Sequence, residues 1–189
     1  MGASSALIFG VLINVAILLV FFRFLMQLAA VSPYNPVVLS TVKATKIVDI
    51  FSRSLPTVGK GRVNLAAIAL LIVLYLLKIF GLMYLSGQMP HSAVYLVITT
   101  FVTMIQDLIR FCRYLIFATI ILSWVVMFTQ SRSPYIEVIQ ELAEPLLAPF
   151  RRLLPNMGVI DLSPILAFLA LYIAEILMNE AAKVLLTGL

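Results

Sequence analysis

Four long apolar runs constrain this chain more than any other feature. They cover residues 5–31, 65–89, about 106–130 and 164–186. A helix of about 20 apolar residues crosses the roughly 30 Å hydrocarbon core of a bilayer. Inside lipid every backbone amide and carbonyl must be satisfied within the protein, so such runs fold as helices. The spacing therefore predicts an all-α integral membrane protein with four spans. Lys78 lies inside the second run, Asp107, Arg110 and Arg113 at the start of the third, and Glu175 and Glu180 inside the fourth. Residues 92–105 are also apolar but short for a span. They have three options: to lie at the interface, to re-enter the bilayer, or to extend the third helix.

Composition agrees. Of 189 residues, 63% are hydrophobic and 11% charged, with mean hydropathy +1.13, against about 25% charged in soluble domains. An ordinary cytosolic enzyme, a disordered tail and a nucleic-acid binder are excluded. Cys112 and His91 are the only cysteine and histidine. That excludes a disulfide scaffold and leaves too few ligands for zinc or haem, so no metal or cofactor is expected. Cys112 reads as a packed thiol and His91 as a loop residue, with a joint redox role the sharper alternative. No base–nucleophile spacing suggests catalysis.

The basic residues set the expected topology. Lys43, Lys46, Arg53, Lys60 and Arg62 follow the first run; Arg132, Arg151 and Arg152 follow the third. Basic loops stay in the cytoplasm. Both linkers are thus expected there and both termini in the periplasm. Arg110, Arg113 and Lys183, towards the outer side, run against this bias. No Lys or Arg precedes Arg23, the reverse of a cleaved signal peptide, so the first run is expected to remain as a span.

An internal repeat sharpens the plan. Phe51-Ser52-Arg53-Ser54-Leu55-Pro56-Thr57-Val58-Gly59 precedes Phe150-Arg151-Arg152-Leu153-Leu154-Pro155-Asn156-Met157-Gly158 by 99 residues, and Ser32-Pro33-Tyr34 precedes Ser133-Pro134-Tyr135 by 101. The unit is span, interfacial amphipathic helix, Leu-Pro-x-x-Gly turn, span. Two tandem parallel repeats are expected: residues 1–90 and 106–189, joined by an apolar connector, 91–105. A fifth span would invert the second unit, as in some transporters.

Both linkers have helical period. In the second, Ile139, Leu142, Ala143, Leu146, Leu147, Phe150, Leu153 and Leu154 form an apolar stripe. Ser133 caps it, Pro134 takes the first position, and Pro145 and Pro149 should kink or restart it. The first has a weaker stripe, Ala44, Ile47, Val48, Phe51 and Leu55, started by Asn35 and Pro36. Each stripe can lie among acyl chains or pack on the protein's own spans. Asn64 and Ser163 are placed to cap the following spans, and Gly59 and Gly158 to take positive φ where the chain turns. Trp124 and Tyr135 suit an aromatic belt.

Two groups of candidate site residues emerge. Arg53, Lys60, Arg62, Arg132, Arg151 and Arg152 are placed to bind anionic lipid or a partner protein. Asn14, Lys78 and Glu175 form a candidate intramembrane polar cluster. Lys78 is 14 residues beyond Asn64 and Glu175 is 12 beyond Ser163, about 18–21 Å into each span. Charges at that depth pair or face a cavity, so a direct Lys78–Glu175 pair is expected. The alternative is that Lys78 snorkels and Glu175 is protonated.

The chain resembles the YggT family of small bacterial membrane proteins, which includes the YlmG proteins of Gram-positive bacteria and plastids. The resemblance rests on Arg23-Phe24-Leu25-Met26-Gln27, Tyr34-Asn35-Pro36, Ser123-Trp124-Val125, Arg132-Ser133-Pro134, Glu144-Pro145-Leu146-Leu147 and Pro149-Phe150-Arg151-Arg152-Leu153-Leu154-Pro155, then Gly158 and Ile160-Asp161-Leu162-Ser163-Pro164. The first copy departs from the second, with Lys46 at the position of Pro145. The resemblance implies a bacterial inner-membrane location and links to osmotic-shock tolerance and potassium uptake, to septum or nucleoid positioning and, in plastids, to haem attachment on a cytochrome. It supplies no catalytic residues. The expectation is a non-enzymatic scaffold or assembly factor, acting with anionic lipids and a membrane or cytoplasmic protein, or as a homo-oligomer. The alternative is a component of a potassium or other ion transport or channel system.

Overall fold

The computed structural model describes residues 2–53, 55–59, 61–88, 92–130, 133–154 and 161–187. Lys60, His91, Arg132 and the second turn, Pro155–Gly158, lie outside them. The elements in chain order are α1 (Gly2–Leu28), α2 (Pro36–Ala44), α3 (Ile47–Ser52), β1 (Thr57–Val58), β2 (Val63–Asn64), α4 (Leu65–Leu85), α5 (Ala93–Thr129), α6 (Pro134–Leu153) and α7 (Ser163–Thr187). Helices α1, α4, α5 and α7 are long and apolar enough to cross a membrane. The chain is an all-α membrane protein.

Of the three options for residues 92–105, the structure takes the last. Residues 93–105 are the first turns of α5, which Ser92 caps by accepting the Tyr95 amide at 3.0 Å. At 37 residues, α5 is about 55 Å long, well beyond a bilayer core. Its neighbours define the shared depth. The Phe21 and Phe111 rings stand 5.2 Å apart, Lys78 reaches Asp107, and Gln106 donates to Asn179 at 2.9 Å. Stepping along the helices from these contacts puts one set of ends level with about residue 120 of α5 and the other with about residue 98. That shared layer is about 33 Å deep, close to a bilayer core. Asp107 lies near its middle. The end of α5 runs about 13 Å beyond it, carrying exposed Trp124, Met127 and Phe128.

Among the described residues, two cores hold the molecule. In one, α1 and α4 form a hairpin around Ile13, Ile17, Val20, Phe21, Leu70 and Leu71. The Phe9 ring covers Gly81 so closely that a Cβ there would lie 2.5 Å from it. In the other, α6 packs Val138, Leu142, Ala143 and Leu147 against Met26, Leu115, Ile116 and Ala167 of the spans. The stripe of the second linker from Ile139 to Phe150, with Leu153 exposed at its end, therefore meets the protein's own helices. It does so without the expected break: α6 runs continuously through Pro145 and Pro149. Both prolines, with Glu141 one turn earlier, lie on the exposed face. The carbonyls that lose amide partners point away from the core, where solvent can satisfy them.

The break falls instead in the first linker, which lacks those prolines. Here α2 ends at Ala44 and α3 begins at Ile47. The inward residues are Thr41, Thr45 and Val48, whereas Ala44, Ile47 and Phe51 of the expected stripe face outward. Caps behave as the sequence suggests: Asn35 accepts the Val37 amide at 2.9 Å and Ser133 that of Tyr135 at 3.4 Å. Asn64 caps α4 through Ala67. For α7, however, Asp161 accepts the Ser163 amide at 2.9 Å, while Ser163 is the first helical residue. The first turn is an antiparallel hairpin, Thr57 opposite Asn64 and Val58 opposite Val63, with Gly59 at φ 64°. Asn35 also donates to the Pro134 carbonyl at 3.1 Å, and Glu141 accepts the Ser32 amide at 3.2 Å. The starts of the two linkers thus lie side by side at one end of the bundle.

Candidate intramembrane charge network

The third span carries Asp107, Arg110 and Arg113 at intervals of three residues, which keeps them on neighbouring faces of one helix. Its continuation through 93–105 moves these charges from the outer surface, where the sequence placed them, to mid-depth. There they meet the isolated charges of α4 and α7. Lys78 Nζ lies 3.3 Å from Asp107 Oδ2, which also accepts the Tyr75 hydroxyl at 3.0 Å. Arg113 Nη1 is 2.7 Å from Glu175 Oε2. Arg110 bridges the two carboxylates, 3.4 Å from Asp107 Oδ1 and 3.5 Å from Glu175 Oε1.

The expected direct pair of Lys78 and Glu175 is thus replaced by a relay. Each finds its partner on α5, and Arg110 connects the two halves. The depths of Lys78 and Glu175 identify the two ends of the relay but not its middle, because a third span starting at about 106 leaves Asp107, Arg110 and Arg113 at its outer edge. The signal was the three-residue interval itself, read with 93–105 as helix. Asn14 does not join the pairs. It is exposed, on the wall of a cavity of about 190 Å³ that Tyr75, Asp107, Arg110 and Tyr114 also line. Buried Cys112 is an unpaired thiol on α5.

Aromatic rings surround the cations. Lys78 lies 5.3 Å from the Tyr75 ring centre, and Arg113 lies 5.5–5.9 Å from Tyr172, Tyr114 and Phe168. Such contacts stabilise a cation by about 2 kcal/mol or more where water is excluded. A second cavity, about 450 Å³, lies towards the far end of α7, where Gln106 pairs with Asn179 and Glu180 with Lys183.

Among the described residues, the basic side chains of the linkers are not gathered into one site. Arg53 follows α3 and Arg62 lies in the hairpin turn, both exposed. Arg151 and Arg152 end α6, where cations complement the helix dipole. Arg151 is engaged, pairing with Glu144 and, at 3.0 Å, with Asp161. Desolvation favours its neutral form, but the hydrogen bonds and charges of those carboxylates outweigh it and raise its pKa. Desolvation likewise opposes ionisation of Asp161. Its hydrogen bonds with Ser163 and Arg151 prevail and hold the carboxyl below the usual range. The sequence also missed Arg23. It donates to the Thr45 carbonyl at 2.8 Å and hydroxyl at 3.1 Å, and pairs with Asp49.

Fold and network together define a multi-pass helical membrane protein with an ionic relay at mid-depth. The CCB3/YggT family model matches residues 98–182. The chain is 33% identical over 180 residues to an uncharacterized protein of Pseudomonas aeruginosa, covering 94% of this chain and 89% of the relative. It is 33% identical over 184 residues to one from Vibrio alginolyticus, with 94% of each covered. With the uncharacterized protein YggT of Escherichia coli it shares 32% identity over 173 residues, covering 88% and 87%. No solved structure matches. The chain belongs to the YggT family.

Proposed function

We propose that the chain is a non-enzymatic scaffold or assembly factor of the bacterial inner membrane, serving envelope and osmotic-stress physiology or cell-division organisation. In this reading it is two parallel repeats with the linkers in the cytoplasm and both termini in the periplasm. Side-by-side linker starts support the parallel arrangement. The observation that carries the function is a division of labour between layers. At mid-depth both carboxylates and all three cations join one network within the chain. In the linker layer, α3 turns Ile47, Ile50 and Phe51 outward beside exposed Arg53, and Arg62 and Arg152 are also exposed. Apolar residues beside cations suit an interface rich in anionic lipid, where each basic residue contributes about 1 kcal/mol.

The test changes Arg53, Arg62 and Arg152 together to Glu. Loss of retained anionic lipid on purification, with normal insertion and without altered potassium flux in vesicles, is expected. The second reading, an ion-transport component, draws on the charge network itself. Potassium flux through reconstituted protein that disappears in Lys78→Ala would replace the scaffold with it.

A further inference from the structure

Counting charges at mid-depth leaves one over. Lys78, Arg110 and Arg113 face two carboxylates, Asp107 and Glu175. Arg110 is the odd cation. Lys78 has Asp107, and Arg113 holds Glu175 at 2.7 Å, whereas Arg110 shares both carboxylates at 3.4 and 3.5 Å. Its side chain is 45% exposed. In water that would be unremarkable; near the centre of a bilayer an exposed guanidinium is costly and calls for a partner.

The surroundings describe that partner. Helices α1 and α5 are bridged by Phe21 and Phe22 against Phe111, at 5.2 and 6.2 Å. Beside this bridge the cavity opens, with Tyr75 of α4 and Arg110 among its lining residues. Asn14 stands on the α1 wall, exposed, with no hydrogen bond to any described residue. On α1 it interrupts an exposed apolar stripe, Leu7, Val11, Asn14 and Leu18, spaced by four, three and four. On α5 the exposed residues Arg110, Tyr114, Phe117 and Ile121 repeat the same spacing. This is the period of helix faces that pack against another helix.

We infer that the cleft between α1 and α5 is the docking groove for a transmembrane helix of another protein, one carrying an Asp or Glu near its midpoint. The carboxylate balances Arg110 and accepts from the Asn14 amide. Charge complementarity selects this occupant over a second copy, which would bring a second uncompensated Arg110 to the same face. Depth argues against a headgroup, since the site lies about 15 Å from either surface. The groove and the linker surface occupy different layers, so either assignment can fail alone.

The test uses the full chain in phosphatidylcholine vesicles with synthetic single-pass Leu/Ala helices bearing a central Glu, Gln or Leu. Binding is read by energy transfer between labels. The Glu helix should bind about tenfold more tightly than the Gln helix, the scale of one interhelical polar contact in lipid. Both Arg110→Leu and Asn14→Leu should weaken it. Asn14 holds no bond within the described structure, so its variant keeps the fold and the test stays decisive if Arg110→Leu misfolds. Equal binding of the three helices, or wild-type affinity in Asn14→Leu, overturns the proposal. So does energy transfer between copies of the chain that Asn14→Leu abolishes, which assigns the face to self-association.

Discussion

The two halves of the molecule use polar and apolar fastenings in opposite places. In the first, α1 and α4 meet through an apolar core, while their linker is tied by Arg23, which binds the Thr45 carbonyl and Asp49. In the second, α5 and α7 add Gln106–Asn179, Arg110–Glu175 and Arg113–Glu175 to the apolar contact of Leu115 and Ile116 with Ala167, while α6 is held by its apolar stripe. The contrast teaches that sequence repetition does not fix how a unit is held together. At the spacing of 101, Arg23 stands opposite Trp124, and the second linker relies on a longer buried stripe where the first adds an arginine to buried Val48.

The largest test strikes the polar span contact. Glu175→Leu leaves Arg110 and Arg113 without their shared carboxylate inside the bundle. Removing one partner of a buried pair costs about 3–5 kcal/mol, and unfolding in mixed micelles should register it. Lys78→Leu should cost less, because Asp107 keeps Tyr75 and Arg110. If Lys78→Leu and Glu175→Leu have equal costs, the halves are not fastened differently. A double-mutant cycle between them should show weak coupling through Arg110 rather than a direct pair.

The apolar fastening of α6 is tested by Leu147→Ala. Leu147 is 1% exposed, and truncating such a leucine costs about 2–5 kcal/mol. Proteolysis or hydrogen exchange should show the loss in α6 before the spans. A uniform loss across the molecule would mean that α6 and the spans form one cooperative unit. For the first linker, Arg23→Leu should cost about 1.5–3 kcal/mol, the scale of hydrogen bonds from a charged donor, because it removes the bonds to the Thr45 carbonyl and hydroxyl while the carbonyl keeps the Val48 amide. Asp49→Ala should cost under about 1 kcal/mol, because Asp49 is half-exposed. Equal losses from both would make the ion pair, rather than the carbonyl cap, the fastening.

How much of this was legible follows from what each residue reports. Apolar runs and caps are local: Asn35, Asn64 and Ser133 cap as their positions suggest. The stripe of α6 is read from period alone, since its core-facing residues recur at helical intervals. The outward turn of Ile47 and Phe51 is not, because period identifies a face without saying whether lipid or protein covers it. Charge partners are less legible still. Lys78 and Glu175 announced the depth of a polar site, but pairing depends on which helices are neighbours. The central position of α5 between α4 and α7 is a tertiary fact. Pro145 and Pro149 mislead for a related reason: whether a proline breaks a helix depends on which face it occupies.

The smallest effect concerns the junction of α6 and α7, where Asp161 caps one helix and pairs with the arginine ending the other. Its pKa is lowered in the folded protein. The unfolded chain therefore binds the proton more readily, and the stabilisation is fully present above the ordinary carboxylate pKa. It is lost as the pH falls through the lowered folded value, a window beginning below about pH 4. Arg151 and Asp161 are both about half-exposed, so solvent screening limits the contribution to a few tenths of a kcal/mol, the scale of a surface pair. Asp161→Asn should remove that part of the acid dependence while leaving stability at neutral pH reduced by a similar amount. Asparagine can still accept the Ser163 amide, so the difference isolates the charge. Local exchange at the start of α7, followed from pH 6 to pH 3, is the measurement. An acid response unchanged in Asp161→Asn would show that the junction is held by the neutral cap and the apolar packing of α6 alone.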